Sequence, residues 1–270
     1  RRIGWALGDR LERTPGMEEH LMALGTREEI MREYGMLAYV PDDIANNAMC
    51  GVWALRQVRG VGVENLGRLE LEKREDCLRY ACRAGVDFSI IRSLYESLLV
   101  ENRFAAGDGM GWAAGGGHLD IIEAFIGTLG VNVDAVDADG LTALFWAAFK
   151  GHTDTVNALA GTHNANVEAA NQDGTTTLML AAWKGHTDTV NALAGTHNAN
   201  VEAVDRYGTT ALMWAARDGH TDTVNALAGT YNANVDAVDR YGQTALMRAA
   251  RNGHTDTVEA LRALGASSEW

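Results

Sequence analysis

The chain has 270 residues and a formal net charge of −13 at pH 7, which excludes a global basic footprint for nucleic acid or an anionic membrane but not a local basic patch. Its apolar content of 47% is ordinary for a globular protein, and no apolar run approaches the roughly 18 residues that span a bilayer. Two prolines against thirty glycines favour helices joined by glycine-marked turns.

Residues 1–75 carry no repeat. No secretory signal is visible, and the start "RRIGWALGDR" is compatible with a removed transit peptide. The stretches 15–25, 26–35 and 41–60 read as helical. Pro41 with Asp42 and Asp43 is a good helix start. Residues 60–76, "GVGVENLGRLELEKRED", read as a loop and boundary. The segment 1–75 is thus expected to be a helical cap packed on the first repeat. Residues 76–106 read as a divergent first repeat or junction, with "CLRYACRAGVDFSIIRSL" at 77–94 as a worn copy. The three cysteines, Cys50, Cys77 and Cys82, are odd in number and sparse. They read as buried, inert thiols in a reducing intracellular compartment, which is compatible with an organelle.

From 107 to 270 the chain repeats with a period of 34. His118, His152, His186, His220 and His254 fall on it, as do Phe125, Leu159, Leu193, Leu227 and Leu261. A fixed period of this length marks a solenoid. Each period reads as two short helices and a turn. In "TALFWAAFKG" (142–151), Leu144, Ala147 and Ala148 share one face, and Gly151 stops the helix. In "HTDTVNALAG" (152–161), Thr153 is expected to cap the second helix, with Asp154 in its first turn. Val156, Leu159 and Ala160 form the buried stripe. Two such helices cannot bury a core alone, whereas stacked copies can. Leu193 is therefore expected in the core.

The motifs "TALFWA" (142–147), "TTLMLA" (176–181), "TALMWA" (210–215) and "TALMRA" (244–249) each follow a glycine and precede "GH". Together they resemble the ankyrin-repeat family, whose mark is T-P-L-H-x-A, over about 107–264. The resemblance implies an all-α, ankyrin-type repeat solenoid, here behind an N-terminal helical region. It implies a concave face and finger tips that hold protein partners. Proline and histidine of the family mark are replaced, which leaves the fingers without that histidine's hydrogen bond. One residue is added near Thr162–Asn164, giving 34 rather than 33.

Several chemistries are weighed and set aside. Consecutive ladder histidines sit roughly 8–10 Å apart, too far to share a zinc ion with bonds of about 2 Å. They read as helix-start residues, and His163 and His197 as exposed polar ones. "GMGWAAG" (109–115) matches a dinucleotide fingerprint, which needs a βαβ unit. The 34-residue register instead places Trp112 over Trp146. "HTD" recurs four times, as a scaffold does and an acyl-transfer relay does not. No catalytic residue, metal or cofactor is expected.

The copies differ at two places. One is the turn tip: Ala138 and Asp139, Gln172 and Asp173, Arg206 and Tyr207, Arg240 and Tyr241. The other is the end of the first helix: Phe149 and Lys150, Trp183 and Lys184, Arg217 and Asp218, Arg251 and Asn252. Carried over from the family, these sixteen are the candidate protein-binding residues. A position that takes Phe, Trp and Arg cannot be deep core, so Phe149 and Trp183 are expected to be partly exposed neighbours. Trp112, Trp146 and Trp214, beside the alanine pair, are expected in the core. The first half of the surface is aromatic and the second rich in Arg and Tyr, which suits a partner with an apolar segment followed by acidic residues. The reading is a non-catalytic protein-interaction scaffold, with one or more protein partners and no nucleic acid. The alternatives are a permanently bound subunit of a large assembly and an enzyme in residues 1–75.

Overall fold

The computed structural model describes residues 71–85, 87–99 and 106–267. They belong to two compact units, Arg1–Phe104 and Ala105–Trp270. The expected helices at 15–25, 26–35 and 41–60, Cys50 and the docking of a cap lie outside the described residues.

In the first unit, helix α1 spans Leu71–Ala84 and α2 spans Phe88–Leu99. The expected loop over 60–76 is therefore corrected from Leu71 onward. Residues 71–76 "LEKRED" contain no glycine or proline, and glutamate, lysine and arginine propagate a helix well. Gly85, with φ of 67°, turns the chain between the two helices. Cys77 and Cys82 are fully buried, and burial pushes the Cys82 thiol far above its ordinary range, which makes it inert.

In the second unit, helices come in pairs. The first helices are α3 (Ala106–Gly116), α5 (Ala143–Lys150), α7 (Thr177–Trp183), α9 (Ala211–Arg217) and α11 (Ala245–Arg251). The second helices are α4 (Leu119–Gly127), α6 (Thr153–Asn157), α8 (Thr187–Asn191), α10 (Thr221–Val224) and α12 (Thr255–Ala263). First helices stack on first helices in chain order. No strand forms among the described residues; the fingers hold only isolated bridges, Val136 to Thr142 and Ala170 to Thr176. Leu159, Leu193, Leu227 and Leu261 are fully buried.

Local chemistry explains each boundary. Thr142, Thr176, Thr210 and Thr244 cap the first helices by accepting the N–H three residues on. Gly151 closes α5 in the left-handed conformation. The second helices start differently from expectation. Their N-caps are His118, His152, His186, His220 and His254, none of which caps with its side chain. Thr153 lies inside the helix, and its Oγ1 meets Thr189 Oγ1 of the next copy at 2.8 Å. Thr187 pairs with Thr223, and Thr221 with Thr257, at the same distance.

The histidines join copies as well. The Nε2–H of His152, His186, His220 and His254 donates to the carbonyls of Gly115, Phe149, Trp183 and Arg217 at 3.0–3.2 Å. Each ring lies where the preceding copy has glycine. A Cβ on Gly185 would sit 2.5 Å from His220 Nδ1, and that glycine has φ of 71°. No other residue fits there.

The added residue is absorbed as a π-helical turn, at Ala158–Thr162, Ala192–Thr196 and Asn225–Thr230. His163, His197 and Tyr231 N–H groups reach back five residues to Ala158, Ala192 and Ala226. Asn164, Asn198 and Asn232 follow with φ of 54°, 54° and 55°. The last copy lacks the turn: α12 runs as regular helix to Ala263, and Gly265 takes the left-handed place. The wider turn tucks His163 and His197 inward, so both are half-buried rather than exposed. His197 Nε2 lies 3.0 Å from Asn157 Oδ1 of the preceding copy.

The "GMGWAAG" stretch is helix interior, as the period requires. A Cβ on Gly109 would meet the Phe125 ring at 2.6 Å, so this glycine serves close helix packing and not a phosphate.

Candidate interaction surface

The surface is built on the fingers. Asp137, Asn171, Asp205 and Asp239 each accept two backbone N–H groups through Oδ1, from the residues two and four positions on. This turn chemistry supplies the rigidity that the missing histidine leaves wanting. In two copies the second carboxylate oxygen ties the finger to the first helix, whereas the equivalent Trp214 Nε1–H, in the copy that carries Asp205, has no hydrogen-bond partner among the described residues. Asp137 Oδ2 accepts from Trp146 Nε1 at 2.7 Å, and Asp239 Oδ2 from Arg248 Nη2 at 2.6 Å. Where the helix offers Leu180 instead, the finger carries the neutral Asn171. Burial alone would raise the Asp239 carboxyl, but the Arg248 guanidinium and the N–H groups of Gln243 and Tyr241 outweigh it and hold it below the usual carboxylate range.

Adjacent finger tips are joined. The N–H of Arg206 donates to the Asp173 carbonyl at 2.8 Å, and that of Arg240 to Tyr207 at 2.9 Å. The Arg206 guanidinium also pairs with the Asp173 carboxylate at 2.8 Å and lies 4.7 Å over the Tyr207 ring. Ala138 is tied instead to the first copy, its N–H donating to Asp108 Oδ1 at 3.1 Å.

At the ends of the first helices the rings form one continuous ladder. Trp146 meets Phe149 edge-on at 6.0 Å between centroids. Phe149 and Trp183 lie 6.0 Å apart, and Trp183 and Trp214 5.7 Å. Cations cross the rungs. Lys184 Nζ lies 4.2 Å from the Trp183 centroid and 4.7 Å from that of Phe149, and the Arg217 guanidinium sits 4.2 Å over Trp214. Asp218 binds both Arg217 at 2.6 Å and, through Oδ2, the Trp183 Nε1–H at 2.9 Å. Burial would raise the Asp218 carboxyl, but these partners hold it low.

Phe149, Trp183, Arg217 and Asp173 are half-buried. Ala138, Asp139, Lys150, Gln172, Lys184, Arg206, Tyr207, Asp218, Arg240, Tyr241, Arg251 and Asn252 are exposed. The structure brings two groups together: the helix-end ladder from Phe149 to Asp218, and the tips from Asp173 to Arg240. Asn252 joins the helix-end group through its Nδ2 bond to the Arg217 carbonyl at 2.9 Å.

The core assignment of Trp112, Trp146 and Trp214 is corrected, since all three are half-buried. The indole is too large to fit between helices packed through alanine pairs, so it lies along the helix-end face; Trp146 and Trp214 thereby join the ladder. Sequence reasoning also missed Val136, Val204 and Val238, exposed at 47%, 55% and 60% on the fingers. The signal was the alternation in "AVDRYG": a buried Asx on one side of the finger puts the valine before it on the other.

Among the described residues no cluster of His, Cys, Asp and Glu could hold a metal, and no helix is long and apolar enough to cross a membrane. The model of the family described as Ankyrin repeats (3 copies) matches residues 110–205 and 197–269, more than half of the chain. No curated protein matches it.

Proposed function

The chain belongs to the ankyrin-repeat family, and from that premise we propose that it is a non-catalytic protein-interaction scaffold whose partner lies along the concave face and finger tips. Ankyrin repeats generally mediate protein–protein interactions. The observation that carries the reading is the ladder from Trp146 through Phe149 and Trp183 to Trp214. Four rings in contact, half-buried and prearranged by the helices beneath, offer anchor area at low entropic cost. Aromatic and arginine side chains are the usual anchors of protein interfaces. The finger tips extend the same surface with Tyr207 and Tyr241, exposed at 40% and 72%.

The test is affinity capture from native cells by the full chain, with mass spectrometry. It compares the wild type with a Phe149→Ala/Trp183→Ala variant and with an Asp188→Ala variant on the second helix. Partners retained by the wild type and by Asp188→Ala, but lost by the double variant, are the expected result. Partners lost with Asp188→Ala and kept by the double variant would move the interface to the opposite face.

A further inference from the structure

The charges of the second unit are sorted by face. Eight Lys and Arg side chains lie in residues 106–267, and seven of them sit on first helices or fingers; Arg262 is the exception. The second helices and the loops leaving them carry eleven carboxylates against that one cation. The cations thus gather on the first-helix and finger side, which carries seven carboxylates as well, and three of them, Lys150, Lys184 and Arg217, lie over the ladder of rings.

Not all of these cations are free. Arg206, Arg217 and Arg248 are paired with Asp173, Asp218 and Asp239. Lys150, Lys184, Arg240 and Arg251 form no ion pair among the described residues. Lys150 and Lys184 stand one copy apart, their ammonium groups 5.7 Å and 4.7 Å from the same Phe149 ring. Each keeps donors that the ring cannot satisfy.

We infer that the partner segment is an extended acidic peptide, with carboxylates about three residues apart seated on Lys150 and Lys184 and an apolar side chain between them against Phe149 and Trp183. This rests on the protein-binding reading above. The spacing follows from geometry. Stacked helices lie roughly 8–10 Å apart, and a chain extended in the polyproline-II conformation rises about 3.1 Å per residue with about three residues per turn, which puts every third side chain on one face. One copy therefore matches three residues of the bound peptide. The acidic stretch falls on the aromatic half of the surface, rather than only beyond it, because Arg206 and Arg217 are already neutralised within the molecule. Single-stranded nucleic acid fits less well. Its bases need open ring faces, and here cations cover Trp183 and Trp214.

The test is fluorescence anisotropy with the full chain at low salt. The probes are a labelled peptide of five Glu-Leu-Ser units, the same peptide with Gln or Lys for Glu, and a thymidine oligonucleotide of about 12 residues. The Glu peptide is expected to bind about tenfold or more tighter than the Gln peptide. It should weaken as salt rises, because exposed charges are screened. Lys150→Gln/Lys184→Gln should lose about tenfold in affinity for the Glu peptide with an unchanged melt. Equal binding of the Gln peptide, tighter binding of the Lys peptide or the oligonucleotide, or no binding of the Glu peptide at millimolar concentration overturns the inference. The two readings separate in the capture experiment. A captured partner that needs Phe149 and Trp183 but is indifferent to Lys150→Gln/Lys184→Gln leaves the protein-binding face standing and removes its acidic partner.

Discussion

The two sides of each repeat are built under different constraints. On the second helix, "GHTDTVNALAGT" is identical in three copies. On the first helix and finger, Phe149, Trp183, Arg217 and Arg251 occupy one position. The structure gives the reason. Histidine, glycine and threonine on the second-helix side each serve two copies at once. His186 holds the Phe149 carbonyl behind it, while Gly185 makes room for His220 ahead and Thr187 pairs with Thr223. A change there must suit both neighbours. The first-helix position faces outward, and its side chain meets the next copy through half-exposed contacts. Identity within the chain therefore marks the joints between copies, and variation marks the face proposed for a partner.

The sharpest way to break this contrast is to damage the frozen side. Leu193→Ala removes a fully buried side chain and should cost about 2–5 kcal/mol by chemical denaturation. A loss under about 0.5 kcal/mol would mean that the stripe is misplaced. Gly185→Ala should follow, at roughly 1–3 kcal/mol, since it combines a left-handed backbone with a clash on His220. Thr189→Val removes one rung of the threonine ladder and should cost about 1 kcal/mol; a neutral result would reduce the ladder to a by-product of helix packing.

Acidity offers a milder probe of the same side. Burial depresses the His152 and His186 pKa values, although their hydrogen bonds to the Gly115 and Phe149 carbonyls oppose it. The unfolded chain then binds more protons than the folded one just below the ordinary histidine pKa of about 6.5. Stability should accordingly be full above that pH and decline as pH falls through it toward the depressed folded values. Denaturation midpoints at pH 7.5 and 5.5 measure this, and His152→Gln/His186→Gln should flatten the slope.

The repeat side of the fold was legible because a solenoid writes its architecture as a period. Thr142 and Gly151 at the ends of α5, and Leu193 in the core, follow from spacing alone. Two features were not. The π-helical turns need the count of backbone hydrogen bonds around Ala158 and His163, which the extra residue only hints at. The places of Trp146 and Trp214 depend on whether an indole fits between alanine-lined helices, a question of volume that periodicity does not pose. Lys184 over Phe149 was unreadable for a related reason: a cation's partner is chosen by three-dimensional neighbours, here one copy away.

The central claim is that the ladder is interface and the second helix is joint. It is tested most directly by a binding isotherm of a captured partner on the Phe149→Ala/Trp183→Ala variant, with its thermal melt alongside. The account predicts a loss of about 2–4 kcal/mol or more in binding. Folding should lose only about 1–2 kcal/mol, because these rings are half-buried and stack chiefly on one another. An unchanged isotherm, or a fall in stability as large as that of Leu193→Ala, would contradict it.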